Sequence, residues 1–296
     1  MLGPMTLALL GTGLLGSAIA TRLLNAGESL VVWNRTPQRC KPLLELGAHQ
    51  AASPREAAAG ANWLITVLSD GPSTASVLLD EVGDRLEGKG VLQIGTIGPD
   101  ESRQLAAAVT ERGGRYLEAP VLGSRPEALE GRLQLMTGGP ASLMEEALPL
   151  IQLLSQEPLH LGEVGAAMGA KLALNQLIAS LTHAFSLSLH LVQRSGVDLE
   201  AFMGILRSSA LYAPTFDKKL ERELSGDYAH PNFPTAHLRK DLNLFISAAE
   251  AAGLNSEGLQ GLAQLLERSK PAGLDGLDYC ALHVLTAEQT AAAAPE

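Results

Sequence analysis

The sequence predicts an α/β protein in two parts: a doubly wound sheet over residues 1–163 and an all-α part over residues 164–296, with one long helix between them. Three observations predict it. Apolar runs of strand length alternate with helical patterns as far as Glu163 and then stop. A G-x-G-x-x-G turn lies between the first strand-like run and the first helical one. Beyond Glu163, a helical stretch carries no charged residue from 172 to 193, which marks a core or interface helix. At 296 residues the chain exceeds one ordinary core, in keeping with two domains.

Hydrophobic residues make up 46% and aromatics only 4%, which suits elements packed through Ala, Leu, Val and Gly. A net charge of -10 repels nucleic-acid phosphates and anionic membranes, so neither is an expected partner. Cys40 and Cys280 form no CxxC and no disulfide framework, so a reducing compartment, the cytoplasm, and no structural metal are expected. The first residues run into a strand without a basic segment, so no signal peptide is expected. The uncharged helical run is long enough to span a bilayer. Asn175, Gln176, Ser180, Thr182, His183, Ser186, Ser188 and His190 would then lie in hydrocarbon, so a core or dimer-interface helix is expected.

The first strand is Thr6-Leu-Ala-Leu-Leu10, followed at once by Gly11, Thr12, Gly13, Leu14, Leu15 and Gly16 and a helical pattern as far as Gly27. In this context Gly11 allows a tight turn, Gly13 lets the backbone approach a pyrophosphate, and Gly16 lets helix pack on strand. The next strand, Ser29-Leu-Val-Val-Trp33, ends in Asn34, Arg35 and Thr36. No acid stands there to hold a ribose 2′-hydroxyl. Arg35 can pair with a 2′-phosphate, with Asn34 and Thr36 as neutral donors, which favours NADP(H) over NAD(H). A surface arginine after a strand is the other reading.

Trp63-Leu-Ile-Thr-Val-Leu68 ends in Ser69 and Asp70, a strand-end loop against which a cofactor can lie. Further strands are read at Val91-Leu-Gln-Ile94, which leads to Thr96, at Arg115-Tyr-Leu117, and at Leu133-Gln-Leu-Met136. Helical patterns cover residues 100–112 and 141–154.

After Glu163 comes the long helix, about 165–194, which at ~1.5 Å per residue runs roughly 45 Å. Lys171 and Asn175 share one face of it, a turn apart. Lys171 reads either as a core-helix lysine whose stem snorkels to solvent or as a functional ammonium. His183 and His190 have no carboxylate or cysteine near them in sequence and read as core or interface histidines. Helices follow at about 199–208, 214–224, 235–252 and 256–269, with a last one near Asp278. Lys240 either reaches a cofactor or substrate anion or forms an ordinary surface ion pair. The alanine-rich tail after Glu288 reads as disordered.

Hydride transfer to a carbonyl needs a held nicotinamide, a positioned carbonyl carbon and a proton donor for the developing alkoxide. A desolvated lysine suits the last role, and Asn175 can fix the lysine or bind the substrate oxygen.

Four motifs in order resemble the β-hydroxyacid dehydrogenase family over nearly the whole length. They are the Gly11–Gly16 turn, Glu118-Ala-Pro-Val-Leu-Gly-Ser124, Gly165-Ala-Ala-Met-Gly-Ala-Lys171-Leu-Ala-Leu-Asn175, and Lys240-Asp241-Leu242. The segment from Asn34 to Thr36 is similar to that of the family's NADPH-preferring glyoxylate/succinic semialdehyde reductases. The resemblance implies a Rossmann-type domain with an all-helical second domain, and a dimer or tetramer built on the latter. It implies that Lys171 is catalytic and that Asn175 lies on the substrate side. It also implies that Thr96 touches nicotinamide and substrate, and that Lys240 closes over the cofactor. Leu122 stands where the family has a serine that helps hold the substrate's acid group, leaving backbone at Gly123 and Ser124 to take a carboxylate. A small carbonyl acid is the expected substrate. The alternatives are a substrate without a carboxylate, such as a neutral aldehyde, a ketone or an imine, and a cofactor-binding module without catalysis. The related imine reductases lack the lysine, so Lys171 argues against that branch.

Overall fold

The computed structural model describes residues 6–287. The chain divides between Ala173 and Leu174 into two compact units. The division falls further along than Glu163, where the strand signals stop, and lies inside the long helix.

The first unit contains β1 (Leu7–Leu10), α1 (Leu14–Asn25), β2 (Leu30–Trp33), α2 (Lys41–Leu44), β3 (His49–Gln50), α3 (Pro54–Ala59), β4 (Trp63–Thr66) and α4 (Gly71–Ala75). Then follow β5 (Gly90–Gln93), α5 (Pro99–Glu111), β6 (Arg115–Glu118), β7 (Val121–Leu122), α6 (Arg125–Glu130), β8 (Gln134–Gly138), α7 (Ala141–Leu154) and β9 (Leu159–Gly162). The long helix α8 (Ala166–Arg194) begins here and runs into the second unit.

The strands form one sheet in the order β3-β2-β1-β4-β5-β6-β8-β7, with β9 beside β8. From β3 to β6 every pairing is parallel, while β8 runs antiparallel to β6 and β7. Chain order therefore reverses between β1 and β4, and the crevice at a doubly wound sheet's binding edge opens at this point. Side chains alternate along β1. Leu7 and Leu9 join the layer containing Ile19, Leu23 and Ile151, from α1 and α7. Ala8 and Leu10 join the opposite layer, with Ala57, Leu105 and Val109 from α3 and α5.

Three strands lie beyond those read from the sequence: β3, β7 and β9. Each is short, and β9 shows why the apolar pattern misses it. Leu159 and Leu161 are exposed, so backbone pairing with β8 makes this strand and side-chain burial does not. The strand read as far as Leu68 stops at Thr66, and Val67 and Leu68 form the loop that follows.

In the second unit, α8 is followed by α9 (Leu199–Ser208), α10 (Pro214–Ser225), α11 (Thr235–Ala251), α12 (Gln260–Glu267) and α13 (Leu282–Ala287). The helix read over 256–269 breaks into a short 3-10 turn, Glu257–Leu259, and α12. Leu238, Leu242 and Ile246 of α11 pack with Leu262, Leu266, Leu282 and Leu285 around Ala179. Phe185 of α8 stacks on Phe216 of α10, with ring centroids 4.5 Å apart. The alanine-rich tail after Glu288 lies outside the described residues.

Candidate active site

At the chain reversal of the sheet, Gly11 has a positive φ of 107°, and a Cβ there would lie 2.4 Å from the Val67 carbonyl oxygen. A Cβ on Gly16 would lie 1.9 Å from the Gly11 carbonyl oxygen. Both glycines are thus fixed by contacts within the protein. Gly13 is not: a Cβ there would meet nothing within 4 Å. Gly13 is the N-cap of α1 and has no side chain to take the helix's first N–H groups. Open space over uncapped N–H groups fits a bound pyrophosphate. Thr12 is buried, Leu15 half-buried and Leu14 exposed.

The loop after β2 is tied to this turn by Asn34, whose Oδ1 accepts from the Thr12 N–H at 3.0 Å. Its Nδ2 donates to the Thr36 carbonyl at 3.1 Å. The asparagine read as a cofactor donor thus also holds the loop together. Arg35 and Thr36 are exposed, and no acid lies between Asn34 and Cys40. Asp70 caps α4, accepting from the Ser73 N–H at 2.8 Å and from the Ser69 hydroxyl at 2.8 Å. A Cβ on Gly95 would lie 2.5 Å from the Leu68 carbonyl oxygen. Gly95 therefore lets the half-buried Thr96 loop close on the loop that carries Leu68, Ser69 and Asp70.

Leu122 is half-buried at the end of β7, opposite Gln134 of β8. Gly123 has a φ of 123°, a conformation that favours glycine. Ser124 caps α6, but its N–H and its hydroxyl both donate to Glu127 Oε2, at 2.7 and 2.8 Å. One of the backbone donors expected to take a substrate carboxylate, the Ser124 N–H, thus already holds a carboxylate of the chain, as does the Ser124 hydroxyl.

Lys171 is 8% exposed and lies in the second turn of α8. Met168, one turn earlier, is wholly buried in the core layer that holds Leu10, Ile97 and Tyr116. Neither the N-cap Gly165 nor any acid in the first turn of α8 supplies a side-chain cap. Glu118, at the end of β6 and 0% exposed, supplies one. Its Oε1 accepts from the N–H groups of Ala167 at 2.8 Å and Met168 at 3.2 Å, and its Oε2 accepts from the Ser102 hydroxyl at 2.6 Å.

In the second unit, Asn175 is 1% exposed. Its Nδ2 donates to Asp241 Oδ2 at 2.6 Å, which leaves the buried Oδ1 without a hydrogen-bond partner. An acceptor left over in this way suits a hydroxyl donor. Asp241, 2% exposed, also pairs through Oδ1 with Lys240 Nζ at 2.9 Å. Lys240 therefore lies in an ion pair with its own neighbour, and Asp241 joins it to Asn175. Asp241 and Glu118 are the residues that the sequence reading left without roles. For Glu118 the signal was an acid inside the otherwise apolar run Tyr116-Leu-Glu-Ala119, while Asp241 stands beside Arg239 and Lys240 and carries no such signal. Among the described residues, no three His, Cys, Asp or Glu side chains converge as a metal site would need.

A sheet parallel from β3 to β6, with this turn at its reversal, defines an NAD(P)-binding domain. Comparison with known proteins agrees. Residues 6–169 match the NAD-binding domain of 6-phosphogluconate dehydrogenase, and residues 165–285 match the NAD-binding region of NADP-dependent 3-hydroxyisobutyrate dehydrogenase. The chain is 32% identical to glyoxylate/succinic semialdehyde reductase 1 of Arabidopsis thaliana, over 94% of this chain and 97% of that protein. It is 30% identical to reductase 2 of the same plant, a chloroplastic protein, over 95% of this chain and 79% of that one. A Mycobacterium tuberculosis 3-hydroxyisobutyrate dehydrogenase solved with L-serine shares the fold, with a TM-score of 0.85, 23% identity and coverage of 95% and 98%. The chain belongs to the β-hydroxyacid dehydrogenase family, a family of NAD(P)-dependent oxidoreductases.

Proposed function

We propose that this chain is an NADP(H)-dependent reductase. It interconverts a small carbonyl acid, of the semialdehyde or glyoxylate type, and its hydroxy acid. The observation that carries the reading is Lys171, an ammonium 8% exposed on the same helix face as Asn175, in a chain that also carries the dinucleotide turn. Two glyoxylate/succinic semialdehyde reductases among its relatives support the substrate class. The exposed Arg35, with no acid beside it, supports NADP(H), as does the NADP-dependent match over residues 165–285.

The Gly11–Gly16 turn and Arg35 would hold NADP(H), which would supply or accept the hydride when bound. Lys171 holds the carbonyl oxygen and gives it a proton as the alkoxide forms, then takes the proton back in the reverse direction. Asn175 accepts the substrate hydroxyl through its unpartnered Oδ1, while Asp241 keeps that amide from turning. Lys240 and Thr96 contact cofactor and substrate in this reading.

Leucines 177, 187 and 191 of α8 are 51%, 45% and 68% exposed in the single chain, which supports a homodimer or tetramer in which a second copy covers this face. Cys40 and Cys280 are buried free thiols, which supports work in the cytoplasm.

A second reading keeps the scaffold and changes the substrate to a neutral carbonyl compound. Leu122 and the capture of both Ser124 donors by Glu127 favour it. One experiment separates the readings: NADPH oxidation against glyoxylate, acidic semialdehydes, neutral aldehydes and a cyclic imine, with Lys171→Ala as control. Turnover of the acids, reduced about 100-fold or more by Lys171→Ala, is the expected result. Turnover of neutral substrates alone supports the second reading, and full activity in Lys171→Ala removes the lysine from the mechanism. In the same assay Arg35→Asp is expected to raise the KM for NADPH and favour NADH. An unchanged preference puts the 2′-phosphate elsewhere.

A further inference from the structure

We infer that Glu118 is a positioning residue, a carboxylate latch that fixes the first turns of α8 and through them sets where Lys171 points. The inference rests on the reading of Lys171 as the proton donor.

Four observations carry it. First, α8 starts without a cap of its own. Gly165 precedes it with a φ of 100°, and a Cβ there would lie 2.7 Å from the Arg103 guanidinium. The positive φ therefore disfavours any capping side chain at that position. Second, Glu118 fills the role from outside the helix. Its Oε1 takes the N–H groups of Ala167 and Met168, the second and third residues of α8. Ala167 lies one helical turn before Lys171, so the carboxylate anchors the turn on which the lysine stands. Third, the carboxylate is itself held. The Ser102 hydroxyl donates to Oε2 at 2.6 Å, and Ser102 also hydrogen-bonds the Tyr116 hydroxyl at 2.9 Å. Burial pushes the Tyr116 phenol well above its ordinary range, so it stays a neutral hydroxyl. Fourth, the sheet makes room for the latch. Gly138 of β8 pairs with Glu118, and a Cβ on Gly138 would lie 2.3 Å from Glu118 Oε1.

The charge matters as well as the shape. A 29-residue helix presents a partial positive charge at its N-terminus, and Lys171 adds a full one in the second turn. A buried carboxylate at that end offsets both, and it does so at the end of the strand that leads into the Leu122 turn.

The test measures kcat, substrate KM and NADPH Kd for Glu118→Ala, Glu118→Gln and Ser102→Ala, each with and without Lys171→Ala. Glu118→Ala is expected to lower kcat about 100-fold, because a shift of roughly 1 Å in a reacting group has that cost. Glu118→Gln keeps an acceptor but no charge, and is expected to lower kcat about 10-fold, with NADPH Kd within about twofold of wild type in every variant. If Glu118→Ala does not fold, Glu118→Gln and Ser102→Ala carry the test. In the Lys171→Ala background none of these changes should cost anything further, because the latch acts only through the lysine. Wild-type kcat in Glu118→Gln and Ser102→Ala overturns the latch alone. So does an equal loss in both backgrounds, or a loss confined to NADPH binding. Full activity in Lys171→Ala overturns the proton-donor reading and the latch with it.

Discussion

Glu118 of the sheet-bearing unit and Glu223 of the helical unit are both buried glutamates, 0% and 4% exposed, yet their oxygens are held differently. Both oxygens of Glu118 are occupied, by two backbone N–H groups and a serine hydroxyl. Glu223 Oε2 accepts from the Ser186 hydroxyl at 3.2 Å and lies 3.3 Å from His283 Nδ1, while its Oε1 and that Nδ1 have no hydrogen-bond partner. The helical unit buries charge against charge, with Lys219 Nζ 2.7 Å from Asp278 Oδ1 and 4.4 Å from the centre of the Tyr279 ring. Backbone donors are fixed by the helix and do not titrate. Charged side-chain partners do, and each is needed to offset the desolvation of the other. One arrangement fixes a position, and the other ties stability to a partner and to pH.

The largest effect should come from breaking the pair at Lys219. Its side chain and that of Asp278 are 8% and 0% exposed, so Asp278→Ala leaves an ammonium buried without its acid. A loss of about 3–5 kcal/mol is expected in urea unfolding. The double variant Lys219→Met, Asp278→Leu should recover most of it, because neither charge then remains. A double variant no better than the single would mean that hydrogen bonds of Asp278 to Cys280 and Asn232, and not the pair, hold this corner.

A smaller effect tests the two glutamates directly. Ser102 donates to Glu118 at 2.6 Å and Ser186 donates to Glu223 at 3.2 Å. Hydrogen bonds to a charged group contribute about 1.5–3 kcal/mol, so Ser102→Ala should cost that much in urea unfolding, and Ser186→Ala, with a longer bond, less than about 1 kcal/mol. The reverse order would show that the loosely partnered glutamate is the one its unit depends on.

The sequence carried the sheet well and the latch poorly, for a physical reason. Strands β1, β4 and β5 are buried along their whole length, so each prints as a mostly apolar run, with Thr66 and Gln93 the polar residues in it. Gly11 and Gly16 print as a motif because backbone contacts forbid any other residue there. Strand β9 has no buried side chain and so leaves no pattern. Glu118 meets Ala167 across 49 positions of sequence and Asn175 meets Asp241 across 66, and local periodicity holds nothing of such pairings. Ser124 was legible as a donor, and its capture by Glu127 follows the local Ser-x-x-Glu capping-box spacing, which the pattern of strands and motifs does not weigh.

The smallest effect is in pH. His190 stacks on His283 with ring centroids 3.9 Å apart, and its Nε2 lies 2.9 Å from the His283 carbonyl oxygen. Burial lowers the His190 pKa below 6.5, helped by the charges of His283 and Arg194 and opposed by that carbonyl and by Glu223. The folded chain therefore binds a proton here less readily than the unfolded chain. Stability should fall as pH drops from about 6.5 towards the lowered value and level off once both states are protonated. Asp278 works in a lower window. Burial raises its carboxyl, but hydrogen bonds from Lys219 and Cys280 outweigh that and hold it below 3.8. Its contribution is complete above 3.8 and is lost as pH falls through the folded value. Urea midpoints measured from pH 7 to pH 3 should show two separate declines. His190→Gln should shrink the upper one, to which His183 and His237, also lowered by burial, contribute, and should leave the lower unchanged. An upper decline unchanged in His190→Gln would assign it to His183 and His237 instead.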